Sequence, residues 1–319
     1  MAAVPRAGSY PDFSSGGTTN YIERLYARKL LRNYYKKDVI SKICNSDASN
    51  QSSIKQMGDK VIFRKRPAIT INNYYKGKTL SYETPTEDSL ELDIDKARDW
   101  AFQIDDIDQF QSSVQIMSQY ADEGGEKLKE TICTDFLADI YDDGNSSNYG
   151  ATAGAISGNI NLGTSGADLV LTRDNILYTF NNMAQVLNEQ NIPESDRHVT
   201  IPPAVWNMIQ SSDLKNSSFS GLDESTLLSN GEAVHRIAGF DIHVTNCVNS
   251  ATDGTTGNTA FDIVFNQMEA ICFCMQITKV EILKQLESTF GSAARGLAVF
   301  GYKVLQPKGL GWMYASVQN

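Results

Sequence analysis

No stretch of the chain approaches the roughly 20 consecutive apolar residues that cross a bilayer as a helix. Runs such as Ala270–Met275 are far too short, and MAAVPRAGSYPDFSSGG at the start holds no apolar core for a secretory signal. No membrane partner or export signal is read. Cysteine is sparse and odd in number, with Cys44, Cys133, Cys247, Cys272 and Cys274 scattered along the chain. That pattern excludes a disulfide framework and reads as reduced, buried thiols in a cytoplasmic setting. Cys272 and Cys274 lie one residue apart in an apolar strand, so they share a side but lack the two-residue spacing of a zinc knuckle or redox pair. The only histidines, His198, His235 and His243, form no HExxH or other ligand pair and read as structural. GTSGA at Gly163–Ala167 is not GxSxG, DDGN at Asp142–Asn145 lacks the alternating oxygens of a calcium loop, and GxxxxGK[ST] is absent. No catalytic, cofactor or metal site is read, and the chain is expected not to be an enzyme.

Positive charge is also short overall, with 28 Lys and Arg against 38 Asp and Glu, a net charge of -10. A general nucleic-acid binder gains affinity by neutralising phosphates, so that class is disfavoured. The distribution is more telling. Residues 1–82 hold 15 basic against 5 acidic residues, while Glu83–Asp108 holds ten acidic residues and only Lys96 and Arg98 as basic ones. A chain that is basic first and acidic after invites head-to-tail contact between copies. The ten carboxylates alternate along a strand, which suits a charged interface better than paired acid and base catalysis.

What is present is a foldable chain, 319 residues long, 41% hydrophobic and 21% charged, enough for roughly two domains. A Gly, Ser, Pro and Thr rich arm over 1–19 leads to Asn20 and Glu23 at capping-box spacing, and Ile22, Tyr26, Leu30 and Tyr34 predict a helix to about Ile43. From Gly58 the pattern turns to strand type. VIFRKRPAITI, NNYYKGK and the alternating Leu90, Leu92 and Ile94 predict a long hairpin interrupted by Pro67 and Pro85. A two-stranded ribbon is marginally stable alone in water, so this one needs a surface to lie on, its own body or a neighbouring subunit.

Helical spacing of Phe110, Val114, Met117, Ala121, Leu128, Ile132, Phe136 and Ile140 predicts one long helix over about Asp108–Tyr141, with Gly124 and Gly125 permitting close packing or a bend. The Gly, Ser and Asn rich stretch that follows, to Ala167, reads as a surface excursion. Thr172 is expected to cap a second helix ending near Ile192, and Arg197–Ile201 to form a strand that meets Pro202 and Pro203 at the start of a third. Further strands are expected at Phe240–Val244, Asp262–Phe265, Ala270–Ile277, Leu297–Leu305 and Gly311–Val317. The sum is an α+β chain.

The basic arm, the long hairpin closing on AFQIDDID, the long helix, and a mixed region carrying VTIPPAVWNMI and IAGFDIHVTN together resemble tailed-bacteriophage major capsid proteins of the Hong Kong 97 type. The resemblance covers nearly the whole chain but rests on the order of elements, not on an invariant motif. It implies an N-terminal arm and helix over 1–57, an extended E-loop hairpin over 58–104, a P-domain with a spine helix over 105–167, a mixed A-domain over 168–275, and return strands completing the P-domain over 276–319. It further implies self-assembly into hexamers and pentamers of an icosahedral head around double-stranded DNA, in the virion capsid and assembled in the host bacterial cytoplasm.

Expected partners are other copies of the chain, a separate scaffolding protein, since too little sequence precedes Gly58 for a fused one, a portal protein and a decoration protein. Packaged DNA is expected to be touched only by weak, non-specific contact. Arg64, Lys65, Arg66, Lys76 and Lys78 are the expected inter-subunit cations, with Glu83, Glu87 and Asp88 among their carboxylate partners. Some relatives join an E-loop lysine covalently to a neighbour's asparagine; Lys76 and Lys78 stand near the tip, where lysines ordinarily only solubilise. The same fold also serves bacterial nanocompartment shells that enclose cargo enzymes, and composition does not separate the two roles.

Overall fold

The computed structural model describes residues 34–46, 60–67, 69–86, 88–105, 116–212, 236–283 and 291–317. In chain order these form the helical turn α1 (Ile40–Ile43), strands β1 (Lys60–Lys65), β2 (Asp88–Asp93) and β3 (Lys96–Asp105), the long helix α2 (Ile116–Asp139), β4 (Leu169–Leu171), α3 (Ile176–Glu189), β5 (Arg197–Ile201) and α4 (Pro203–Ser211). They continue with β6 (Arg236–Ile237), β7 (Phe240–Val244), β8 (Ser250–Thr252), β9 (Thr259–Gln267), β10 (Ile271–Leu283), β11 (Gly291–Val304) and β12 (Leu310–Val317). The mixed α+β composition expected from sequence is present.

Three sheets organise these elements. β1 and β2 form a two-stranded ribbon, β10, β11 and β3 a three-stranded antiparallel sheet, and the third sheet runs β4-β12-β9-β5-β7-β6 with β8 beside β9. In this large sheet β12 with β4 and β5 with β7 are parallel, and the other pairings are antiparallel. Alternation along its strands divides two cores, because successive side chains leave opposite faces. Val199, Ile201, Ile263 and Phe265 pack with Ile176, Phe180 and Met183 of α3 and Val205 and Ile209 of α4. Val264 joins the second core, with Ile40 and Ile43 of α1, Ile132, Phe136 and Leu137 of α2, and Phe300 of β11.

Helix starts follow the sequence. Thr172 and Asn175 cap α3 reciprocally, Thr172 N–H donating to Asn175 Oδ1 at 2.8 Å and Asn175 N–H to Thr172 Oγ1 at 3.3 Å. Pro203 opens α4, where a missing N–H costs nothing. Of the two glycines in α2, Gly124 supplies close packing: a Cβ there would stand 2.7 Å from the Trp100 indole, whereas nothing lies within 4 Å of one on Gly125. Across the strand, a Cβ on Gly296 would meet the same indole at 2.3 Å, so Trp100 is clamped between helix and sheet by two glycines.

Two expectations are corrected. Most of the helix expected over 20–43 lies outside the described residues, but its described part is not helical before Ile40. The Lys37 carbonyl, which would accept a helical bond, instead accepts one from Thr245 Oγ1 at 2.6 Å and ties the segment to the large sheet. The Gly-rich stretch after α2 is a surface excursion only in part, with Ile156 82% exposed but other residues folded into the core. Asn148, Ala153 and Leu162 are fully buried and Ile160 nearly so. Asn148 Nδ2 donates to Lys308 O at 2.7 Å and Leu310 O at 2.9 Å, and a Cβ on Gly163, at φ 79°, would stand 2.0 Å from Tyr314 O. Glycines there permit tight approach to β12. The N-terminal part of the long helix, over 108–115, is outside the described residues, and α2 closes through a 3-10 turn at Ile140–Asp143.

Candidate assembly interface

The hairpin begins as a true ladder. β1 and β2 pair antiparallel from Lys60↔Asp93 to Lys65↔Asp88. At this base one face turns inward: Val61, Leu92 and Ile94 are buried with Cys272 and Cys274 of β10, and Phe63 packs beside them. A Cβ on Gly301 of β11 would stand 2.2 Å from Asp93 O, so the ribbon sits backbone to backbone on the three-stranded sheet.

Beyond Lys65 and Asp88 the ladder stops, where the sequence places Pro67 and Pro85, which cannot donate to it. One side-chain bond still joins the arms beyond it. Thr70 N–H donates to Glu83 Oε1 at 2.9 Å, the pairing the base register requires, and Lys78 N–H donates to Tyr75 O at 3.0 Å to close the tip with Gly77 at φ 89°. The expected interruption by the two prolines is therefore present.

The distal ribbon exposes what soluble surfaces usually cover. Ile71 is 96% and Tyr82 90% exposed, and Ile62, Ile69, Tyr74, Tyr75 and Leu80 are exposed as well. Ile69, Ile71, Leu80 and Tyr82 thus form a group of exposed apolar side chains in the distal hairpin. Sequence reading singled out charges in this loop and missed these residues. The usable signal was the apolar alternation in AITI between two prolines, where no other segment was assigned to cover it.

The charged residues divide. Lys65 pairs with Asp88 of its own ribbon at 3.2 Å, across from it in register, with both side chains exposed. Glu83 holds the Thr70 amide. Lys78 Nζ donates to Asn73 O at 2.6 Å and stands 5.9 Å from the Tyr75 ring centre. Arg64, Arg66 and Lys76 are exposed and form no ion pair among the described residues. Glu87 lies outside the described residues. A pairing at the base was not foreseen: Lys60 Nζ lies 2.9 Å from Glu91 and 3.1 Å from Asp93, and hydrogen bonds to these two carboxylates hold its pKa above the usual lysine value.

Beside the ribbon, a polar clamp fixes α2 to the three-stranded sheet. Asp139 Oδ2 accepts from Tyr302 OH at 2.7 Å and from Lys96 Nζ at 3.0 Å, while Lys96 stands 4.6 Å from the Tyr302 ring centre. Burial, followed by the bond to Asp139, pushes the Tyr302 phenol up to about 12, and the bonds from Tyr302 and Lys96 pull Asp139 below the usual carboxylate value. Arg98 and Asp135 pair at 2.6 Å along the same seam.

The platform from which the hairpin projects thus consists of a long helix pinned on the three-stranded sheet, and it shares a core with the large sheet through Val264. The family model for phage capsid proteins matches residues 81–312. The chain belongs to the phage capsid protein family. The solved structures of capsid proteins share this fold across almost their full length. The chain is similar to a protein of Mycobacterium phage Che8 (21% identity, TM-score 0.70, covering 93% of this chain and 98% of that one). It also resembles the capsid of cyanophage P-SCSP1u (18%, TM-score 0.68, 98% and 100%) and the mature capsid of bacteriophage PhiM1 (11%, TM-score 0.66, 100% and 99%). No curated protein matches the chain. This capsid protein is a structural component of the virion, not an enzyme.

Proposed function

We propose that this phage capsid protein is the major shell subunit of a Hong Kong 97-type head, assembling as hexamers and pentamers around double-stranded DNA, with the distal hairpin lying on a neighbouring copy. The observation that carries this reading is the exposed apolar side chains of the distal hairpin. Burying an aliphatic or aromatic side chain is worth about 1.5–3 kcal/mol, and Ile69, Ile71, Leu80 and Tyr82, all more than half exposed, leave most of it unrealised among the described residues. A closed shell supplies the covering surface to every copy.

In this reading the arm, the hairpin over 58–104, the helix-bearing platform over 105–167, the large-sheet region over 168–275 and the return strands over 276–319 keep the roles the resemblance gave them. Arg64, Arg66 and Lys76 are the cations left for a neighbour's carboxylates, while Lys65, Lys78, Glu83 and Asp88 take part only after exchanging partners within the ribbon. Such exposed pairs are each worth about 0–1 kcal/mol, so they orient the contact and the exposed apolar side chains stabilise it. Scaffolding, portal and decoration proteins remain the expected partners, and the family match favours the virion role over the nanocompartment one.

Electron microscopy and sedimentation of the protein expressed with its scaffolding partner test the proposal. Closed shells are expected, and a monodisperse monomer under all such conditions would falsify it.

A further inference from the structure

The described N-terminal segment, over 36–46, lies as a clasp across both main sheets. Its backbone is held at three places. Thr245 Oγ1 donates to Lys37 O at 2.6 Å, Asn266 Nδ2 donates to Ile43 O at 2.7 Å, and Asn45 exchanges bonds with β10, its N–H reaching Ile271 O at 2.9 Å and its carbonyl accepting from Phe273 N–H at 3.0 Å. Lys36 adds a contact to Glu130 of α2 at 3.8 Å.

On the sheet face that carries Thr245, two of the three histidines meet. The parallel register of β5 and β7 sets Thr200 beside His243 and His198 beside Asp241, and His243 Nε2 lies 3.1 Å from His198 Nδ1. Only one proton fits between those nitrogens. His198 is 8% exposed, and its Nε2 is buried with no hydrogen-bond partner among the described residues. A buried N–H without an acceptor is costlier than a bare ring nitrogen without a donor. The neutral arrangement therefore has His198 donating from Nδ1 to His243 Nε2. A proton added to His243 sets two donors face to face, and one added to His198 leaves a cationic N–H buried without a partner.

The charges around the pair come from every element packed on it. Asp241 of β7 and Asp196 before β5 favour protonation, while Arg236 of β6 and Lys37 and Lys42 of the clasp oppose it. On the same face of β9, Asp262 is bonded to Asn249 at 2.7 Å, and Asp38 of the clasp caps α1 through the Ile40 amide at 3.1 Å. Burial, then His198, Lys42 and Lys37, pull His243 down to about 4; burial also lowers His198.

We propose that the His198–His243 pair is an acid-sensitive seat for the clasp: the neutral pair tolerates Lys37 and Lys42 beside it, and the protonated pair expels residues 36–46 and frees the chain before them from this anchorage. The sign follows from linkage. The folded histidines titrate below the unfolded value of about 6.5, so the unfolded or unclasped form binds protons first. Clasp stability is complete above that pH and is lost as pH falls toward about 4.

Amide hydrogen exchange on the full chain tests this. After correction for intrinsic chemistry, protection of the Ile43, Cys44 and Asn45 amides should fall at least about tenfold between pH 7 and pH 5, while amides within α3 hold theirs. The double variant H198N/H243Q, neutral throughout, should show no such fall. Unchanged protection in the wild type, or an equal fall in the double variant, overturns the proposal. Should the double variant not fold, proton resonances of the wild-type histidine rings decide: loss of protection must follow their titration, and loss tracking a carboxylate instead overturns it.

Discussion

The large sheet and the hairpin solve the burial problem in opposite ways. In the sheet, Phe180, Met183, Val199, Ile201 and Phe265 are essentially inaccessible, packed between strands and helices of one chain. In the hairpin, Ile71 and Tyr82 stand almost fully in solvent on a ribbon whose ladder ends after six residue pairs. One region is covered by its own chain, and the other is, on the proposed reading, half of an interface. The difference teaches that composition of an element does not fix its stability. Apolar alternation in β5 and in the distal ribbon is alike, but only β5 has neighbours on both faces.

The comparison is broken most forcefully from the core side. F180A or F265A should cost about 3–5 kcal/mol of subunit stability, by lost transfer energy plus a cavity, read from urea denaturation. I71D/Y82D should leave the same curve within about 0.5 kcal/mol while abolishing shells in sedimentation. A smaller effect is expected at the platform. G296V would drive a branched side chain into the Trp100 indole and should cost about 1–3 kcal/mol by overpacking, with the lost Trp100 environment seen in near-ultraviolet circular dichroism.

Much of the finished domain was legible because its signals are local. Arg197–Ile201 and Phe240–Val244 form strands over the residues expected, and Pro203 and Thr172 mark helix starts as their chemistry requires. The hairpin, its proline interruptions and the position of its tip were also legible, since Lys76, Gly77 and Lys78 sit at the turn. What failed depended on distant chain. Gly and Ser density over 144–167 looked like a loop because nothing local shows that β12 lies against Gly163. His198 and His243 are 45 positions apart and meet only through strand order. The charge pattern was visible, yet the ribbon pairs Lys65 with its own Asp88, and the exposed apolar residues beside the charges were passed over.

Subtler changes sharpen the contrast. D139N removes the carboxylate that binds Tyr302 and Lys96; spectrophotometric titration should then show the Tyr302 phenol moving down from about 12 toward 10. Because Asp139 is more than half exposed, its loss should cost no more than about 1 kcal/mol. Smallest of all, R64E/R66E should leave the isolated subunit unchanged by circular dichroism, since neither arginine forms an ion pair among the described residues. The pair should reduce shell yield, and normal yield would remove these arginines from the contact.

The central claim is that a neighbouring copy covers the distal hairpin. Hydroxyl-radical labelling of Tyr74, Tyr75 and Tyr82, measured on free subunits and on assembled shells, tests it most directly. The account predicts strong labelling in the subunit, where Tyr82 is 90% exposed, and at least about fivefold protection in the shell, of the kind a closed interface core gives. Equal labelling of all three tyrosines in both states would contradict it.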